Sequence, residues 1–126
     1  MLTATYGFSG LGVSDITAAK DFYGTRLGLA VTEDMGGLRL ELPGGTTLFV
    51  YQSPAFTAAG YTALNFEVPD IEQAVRELTD AGIELERYPG MTQDELGIAR
   101  GRAAGQGPDI AWFRDPAGNI LAVLQS

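Results

Sequence analysis

The stretch that decides the fold is "RDPAGNILAVLQS" at residues 114–126, a turn built on Pro116 and Gly118 followed by an apolar strand. A stretch of the same pattern, "ELPGGTTLFVYQ", occupies residues 41–52, which places it 73 residues earlier. The Pro-x-Gly turn and the strand after it align without a gap, down to a glutamine near the end of each stretch. The same turn-and-strand pattern occurs twice in a chain of 126 residues, which indicates an internal repeat.

The helical parts of the chain are duplicated as well. "VSDITAAKDFYGTRLGLAV" at residues 13–31 and "FEVPDIEQAVRELTDAGIEL" at residues 66–85 align first at a spacing of 55 residues. Asp15 and Asp70 both stand where a helix N-cap accepts a backbone N–H bond. Apolar residues follow each aspartate at helical spacing, so each copy is expected to carry one helix.

Each copy therefore reads as a strand, a helix and three further strands. Gly28 and Gly82 are expected to end the helices, because glycine adopts the left-handed backbone found there. The strands predicted after the helices lie near residues 36–42, 46–52, 83–88, 109–114 and 119–125. We expect an α+β fold of two βαβββ modules, about residues 1–55 and 56–126, in a single domain over residues 1–126. The space between two curved sheets is the predicted site.

Composition excludes several classes of protein. The chain is 45% hydrophobic and 19% charged, as in globular proteins, and its net charge is −8. The eight basic residues are scattered, which argues against nucleic acid or an anionic membrane as a partner. The chain has no cysteine and no histidine, so it lacks disulfides, thiolate metal sites and the commonest general base. No secretory or membrane-spanning pattern is present in the sequence, and a cytoplasmic location is expected.

A long connection, residues 88–109, separates two predicted strands of the second copy. It contains five glycines and two arginines and has little hydrophobic periodicity beyond a predicted turn of helix near residues 93–96. Connections of this length in compact domains are usually functional or disordered. A lid over a pocket and a mobile surface loop are both open interpretations.

These stretches, together with "WFRDPAGNILAVLQ" at residues 112–125, resemble the vicinal oxygen chelate superfamily, also called the glyoxalase/bleomycin-resistance/dioxygenase superfamily. The resemblance spans nearly the whole chain. It implies two βαβββ modules that form a half-open β-barrel. It also implies that enzymes of the family hold one divalent metal through His or Glu at four symmetric strand positions, and that members commonly form homodimers.

The four metal positions implied by the resemblance carry no metal ligands in this chain. They fall on Phe8, Phe49, Ala63 and Ala122. Phenyl and methyl groups have no lone pair to donate, so we expect no metal, no other cofactor and no metal-dependent glyoxalase or dioxygenase activity. A rearranged carboxylate site at Glu41 or Glu67 is the alternative.

Strand alternation extends the predicted lining of the barrel cavity. Together with an arginine of the connection, the predicted ligand-binding residues are Phe8, Gly10, Thr47, Phe49, Tyr51, Ala63, Asn65, Ala122 and Arg100. The lining is mostly apolar and aromatic, which is typical of small-molecule sites. The alternative is that the aromatic rings fill the barrel and leave no pocket.

Three functions fit this sequence. The favoured one is metal-independent binding of a small, partly aromatic organic ligand by a homodimer. The second is a metal-free lyase or isomerase in which a buried Glu67 acts as general acid or base, with Tyr51 or Asn65 holding an oxyanion. The third is a non-catalytic structural homodimer with a filled barrel. No spacing in the sequence singles out the enzyme.

Overall fold

The structure, a computed structural model, describes residues 1–126. The chain divides into two compact units, residues 1–57 and 58–126, called here the first and the second module. Each module contains one four-stranded sheet and follows the order β-α-β-β-β. The α+β fold of two βαβββ modules that the repeat predicts is therefore confirmed. Neither helix is long and apolar enough to cross a membrane.

The first module is built on one helical segment and four strands. Its elements are β1 (Ser9–Val13), α1 (Ile16–Lys20) with a π-helical continuation (Asp21–Arg26), β2 (Ala30–Asp34), β3 (Gly37–Glu41) and β4 (Thr47–Gln52). The strand order is β1-β4-β3-β2. Strand β1 runs parallel to β4, and the other neighbours are antiparallel.

The second module repeats this topology. Its elements are β5 (Thr62–Glu67), α2 (Ile71–Asp80), β6 (Ala99–Arg100), β7 (Asp109–Arg114) and β8 (Ile120–Gln125). The strand order is β5-β8-β7-β6, with β5 parallel to β8. In both modules the first and last strands of the repeat are therefore parallel neighbours at one side of the sheet.

The start of each helix explains two of the repeated residues. The Asp15 carboxylate accepts hydrogen bonds from two backbone N–H groups of α1, and Asp70 accepts one from α2. The side chain of Gln52, at the end of β4, accepts the first N–H of α1 at 2.9 Å. Gln125, at the end of β8, does the same for α2 at 3.0 Å. Each helix N-terminus is thus tied to the last strand of its own module.

Each sheet packs one face against its own helix. In the first module the buried face includes Val13, Leu40 and Val50, all fully buried, below Phe22 and Tyr23 of the π-helical segment. In the second module Phe113 and Leu121 are fully buried, together with Ile71 and Val75 of α2. Burying such a side chain stabilises a fold by about 1.5–3 kcal/mol, so each core stabilises its own module.

The first helix differs from a regular α-helix in its second half. The Leu27 N–H donates to the Phe22 carbonyl, a spacing of five residues, instead of continuing the α pattern. The wider turn lets the adjacent rings of Phe22 and Tyr23 both enter the core, where their centroids lie 5.0 Å apart, edge to face. Gly28 then ends the segment with φ of +75°, as predicted.

The strand predicted at residues 83–88 is wrong, and so is the turn of helix near residues 93–96. The Gln93 side chain accepts a hydrogen bond from the backbone N–H of Tyr88 and donates one to the backbone carbonyl of Glu86. A neighbouring strand would need these two backbone groups for pairing. Only an isolated bridge from Leu85 to β7 remains, and β6 pairs with β7 instead. Near residues 93–96 the chain forms a hydrogen-bonded turn, closed from Gly97 to the carbonyl of Asp94 at 3.0 Å.

Candidate functional site

The sheet face of the first module that turns away from the helix is called here the open face. Gly10 of β1 pairs in register with Phe49 of β4, and Thr47 and Tyr51 lie two residues on either side of Phe49. Since side chains alternate along a strand, these four residues share the open face. The structure therefore places four predicted lining residues of the first module together, with Phe8 just before β1.

Four rings form a continuous line on this face, called here the aromatic row: Tyr6, Phe8, Phe49 and Tyr51. Tyr6 stacks on Phe8 with centroids 5.9 Å apart, and Phe8 meets Phe49 edge to face at 6.4 Å. Phe49 and Tyr51 are nearly parallel, 13° apart, at 6.3 Å. Phe8 is 58% exposed and Tyr51 is 45% exposed. Contiguous exposed rings of this kind make the row a candidate interaction site.

Tyr6 is not among the predicted site residues. Its hydroxyl lies 2.9 Å from the Thr47 Oγ1 and forms a hydrogen bond there, which holds the first ring of the row over the sheet. The signal that could have found it is alternation, because Tyr6 precedes Phe8 by two residues.

Two glycines leave space for aromatic rings close to the sheet. A Cβ added at Gly37 would stand 2.7 Å from the Phe49 ring and 2.5 Å from the Val50 carbonyl oxygen. A Cβ at Gly12 would stand 3.3 Å from the ring of Phe56. Neither Gly37 nor Phe56 is among the predicted site residues, because close approaches between strands leave no local pattern in a sequence.

The charged residues of the open face pair with one another. Arg39 lies 3.4 Å from Glu41 and 4.0 Å from Asp34, and its side chain is 53% exposed. Exposed pairs of this kind contribute about 0–1 kcal/mol to stability. One guanidinium faces two carboxylates, so this cluster keeps a net negative charge beside the aromatic row.

In the second module the predicted residues are split between surface and interior. Ala63, Asn65 and Glu67 of β5 are exposed, whereas Ala122 of β8 is fully buried, although it pairs in register with Asn65. The Glu67 carboxylate accepts a hydrogen bond from the Ser126 hydroxyl at 2.8 Å. The burial on which the acid–base hypothesis depends is not found at Glu67.

The side chains at the four metal positions do not fit a divalent cation. Two are the phenyl rings of Phe8 and Phe49, and both rings are in contact with other rings of the aromatic row. The other two are methyl groups. No group of three or more carboxylates stands close enough elsewhere in the chain to hold a metal.

The second module has a pocket of about 700 Å³, called here the second-module pocket. It is lined by Tyr88, Pro89, Gly90, Met91, Thr92, Ala99, Arg100, Gly101, Ala104, Gln106, Pro108, Ile110 and Trp112. Trp112 and Ile110 lie on the face of β7 opposite to the buried Ala111 and Phe113. The rest of the lining comes largely from the long connection, which favours a pocket wall over a free surface loop.

The aromatic wall of this pocket is formed by Tyr88 and Trp112. Their centroids lie 5.5 Å apart, edge to face, and the Trp112 indole N–H donates to the Thr62 hydroxyl at 3.2 Å. The Tyr88 hydroxyl is buried and makes no hydrogen bond. Burial, reinforced by the negative charge of Glu86, raises the pKa of Tyr88, so its proton stays on.

Arg100 lines the pocket, but its guanidinium is already engaged. It reaches Glu72 at 2.8 Å, Asp94 at 3.0 Å and Asp109 at 3.5 Å, a set called here the arginine clasp. Burial alone would lower the pKa of Arg100, and the hydrogen bonds to Glu72 and Asp94 raise it above its ordinary value. The clasp ties the long connection to α2 and to β7.

The clasp predicts an acid-sensitive fold. Burial favours the neutral form of Asp94, but hydrogen bonds from the Ile98 N–H, Arg100 and the Leu96 N–H outweigh it and lower its pKa. A depressed pKa in the folded state contributes stability above the unfolded value, about 4, and loses it as the pH falls further. We expect Asp94→Asn to flatten the decrease of unfolding free energy below about pH 4. Urea denaturation at a series of pH values measures this; parallel curves for the two proteins would contradict it.

Comparisons with known proteins agree with this architecture. Residues 5–123 match the family described as the Glyoxalase/Bleomycin resistance protein/Dioxygenase superfamily. No curated protein is similar enough in sequence to count as a relative.

Several solved structures share the fold over nearly their whole length. A glyoxalase family protein from Enterococcus faecalis is 25% identical, with a TM-score of 0.69 over 98% of this chain and 99% of that one. TnmS3, an antibiotic binding protein from Streptomyces sp. CB03234, is 20% identical, with a TM-score of 0.65 over 98% of both chains. An integron cassette protein from V. cholerae is 21% identical, with a TM-score of 0.65 over 99% of this chain and 98% of that one.

Proposed function

The chain belongs to the glyoxalase/bleomycin resistance protein/dioxygenase superfamily, and from this premise we propose that it binds a small, partly aromatic organic molecule without a metal. The observation that carries the proposal is the aromatic row, with Phe8 58% and Tyr51 45% exposed on one sheet face. The antibiotic-binding TnmS3, which shares the fold, is consistent with it.

Binding at the row needs no chemical step. A flat ring that covers Phe8 or Tyr51 gains about 0.5–1.5 kcal/mol from each aromatic contact, in addition to the burial of apolar surface. At Gly10 an added Cβ would make ordinary van der Waals contact with the Tyr51 ring at 3.7 Å, so the glycine leaves the space of one methyl group beside that ring. The hydroxyls of Tyr6 and Thr47 offer one polar contact at the edge of the row.

The proposal includes a homodimer in the cytoplasm. Homodimers are common in the family that the chain belongs to, and a fold without cysteine suits a reducing compartment. The enzyme hypothesis has no comparable support, because Glu67 is exposed.

The test is equilibrium dialysis of the uncharged probe N-phenyl-1-naphthylamine in the presence of EDTA. We expect saturable binding that EDTA does not change. Tyr51→Ala is expected to weaken it about tenfold, which corresponds to about 1.4 kcal/mol of lost stacking and burial.

The matched control is Tyr61→Ala, which removes a tyrosine that is 70% exposed and lies outside the row. It is expected to leave the affinity unchanged. Equal affinities of the two variants, or a wild-type protein that binds only after a divalent ion is added, would overturn the proposal.

A further inference from the structure

We propose that residues 1–7 form a strap on the open face of the first module, and that Tyr6 is an internal competitor which the ligand displaces from the aromatic row. Because the strap regulates the same face, this inference rests on the function proposed above. All the residues that it involves belong to the first module.

Tyr6 has the chemistry of the ligand that is proposed for the row. Its ring stacks on Phe8, with centroids 5.9 Å apart and planes 25° apart. Its hydroxyl forms a hydrogen bond with the Thr47 Oγ1 at 2.9 Å. A flat molecule with a polar edge would use the same ring face and the same hydroxyl, so it cannot bind them while Tyr6 does.

The strap is held by few contacts. Residues 1–8 lie outside the helices and strands and are all exposed, and Tyr6 itself is 67% exposed. A Cβ added at Gly7 would meet no atom within 4 Å, so the backbone between the two rings has room to turn. A segment with so few buried contacts opens at little cost in free energy. Both the closed and the open strap are therefore populated.

The short tether makes Tyr6 an effective competitor even though its contacts are few. Only Gly7 separates it from Phe8, so a released ring stays close to the place that it left. Short flexible tethers give local concentrations on the order of millimolar. The apparent affinity of a ligand that uses Phe8 is then the intrinsic affinity reduced by the fraction of molecules in which the strap is open.

Equilibrium dialysis of N-phenyl-1-naphthylamine with Tyr6→Ala measures this competition. We expect the variant to bind the dye about threefold more tightly than wild type, which corresponds to a strap that is open in about a third of the molecules. The matched control is Tyr61→Ala, which removes a tyrosine that is 70% exposed and lies outside the row, and it should leave the affinity unchanged. An affinity of Tyr6→Ala equal to that of wild type, or weaker, would overturn the inference.

Cleavage by chymotrypsin between Tyr6 and Gly7 reports on the strap without any ligand. When opening and closing are fast, the cleavage rate follows the population of the open form. Thr47→Val removes the hydrogen-bond partner of Tyr6 and should raise the rate about threefold, as expected for the loss of one exposed hydrogen bond. Thr46→Val makes the same change one residue earlier, at an exposed position, and should leave the rate unchanged. Equal cleavage rates in these two variants would overturn the attachment of the strap.

The effect of the dye on this cleavage rate distinguishes a competitor from a clamp. A competitor is released by the ligand, so saturating dye should raise the rate after Tyr6 in wild type about threefold, as the open fraction rises from about a third to one. A side chain that closes over the ligand would be protected instead. Slower or unchanged cleavage therefore overturns the inference. A synthetic peptide of residues 1–8 controls for an effect of the dye on the protease.

The failure of this inference and the failure of the proposed function are distinguishable. If Tyr51→Ala weakens dye binding but Tyr6→Ala does not strengthen it, the row binds the dye and the strap does not compete. If neither wild type nor Tyr6→Ala binds the dye, the proposed function fails, and the inference fails with it. If Tyr6→Ala binds the dye and wild type does not, the strap closes the row and the inference is supported.

Discussion

Replacing Arg100 by alanine is expected to lower the free energy of unfolding by about 3 kcal/mol. The substitution leaves three carboxylates without their shared guanidinium, and the Asp109 side chain among them is only 7% exposed. Breaking a buried ion pair from one side costs about 3–5 kcal/mol, because the remaining charge stays buried. The lower end applies here, since Arg100 is itself 36% exposed and Arg102 still lies 3.8 Å from Asp109.

Urea denaturation at neutral pH measures this loss, and Arg76→Ala is its control. Arg76 also faces Glu72, at 4.0 Å, but both side chains are about half exposed. Such an i,i+4 pair contributes about 0.3–0.5 kcal/mol. If the two variants lowered the stability equally, the clasp would be no stronger than an ordinary surface ion pair.

The two modules could be predicted from the sequence because their signals are local and occur twice. The aspartates that begin the helices, the glycines that end them and the Pro-x-Gly turns each act within a few residues. The sequence showed that Gln52 and Gln125 occupy equivalent positions, but it did not show what these two glutamines do. Each glutamine caps a helix that begins more than 30 residues away in sequence, and such a contact appears only in the folded module.

The second module shows why periodicity alone fails at residues 83–96. Residues 83–88 have the apolar spacing of a strand, yet the Gln93 side chain occupies the backbone groups that pairing would use. Asp94 then binds the N–H groups of Leu96 and Ile98 and forms a turn where a helix was predicted. In the sequence, a glutamine whose side chain takes the place of a strand partner looks the same as any other glutamine.

The candidate site could be predicted in part. Alternation from the metal positions that the resemblance implies places Gly10, Thr47, Phe49 and Tyr51 on one face, and Gly10 does pair in register with Phe49. Alternation could not show that Ala122 is buried, since burial depends on what covers a face. The cavity predicted between the two modules stays a prediction, and the second-module pocket was not predicted beyond Arg100 and the connection.

Replacing Gly37 by alanine is expected to destabilise the first module by about 3 kcal/mol, the upper end of what overpacking usually costs. The added Cβ would stand 2.5 Å from the backbone oxygen of Val50 and 2.7 Å from the Phe49 ring. A ring can move aside, but the oxygen belongs to β4 and can shift only if the pairing of β3 with β4 is disturbed. Urea denaturation measures the loss, and dialysis of N-phenyl-1-naphthylamine reports whether the displaced Phe49 ring also weakens binding at the aromatic row.

Gly10→Ala on the same sheet is the matched control. A Cβ at Gly10 would meet Tyr51 at 3.7 Å and the Phe49 carbonyl oxygen at 3.9 Å, which are ordinary van der Waals contacts. The stability of this variant is therefore expected to stay within about 0.5 kcal/mol of wild type, as for most surface substitutions. Its methyl group enters the space assigned to the ligand, so binding should weaken while the fold is kept. If Gly37→Ala lowered the stability no more than Gly10→Ala does, β4 must have shifted to accommodate the added methyl group. The Phe49 ring would then not need a glycine beneath it.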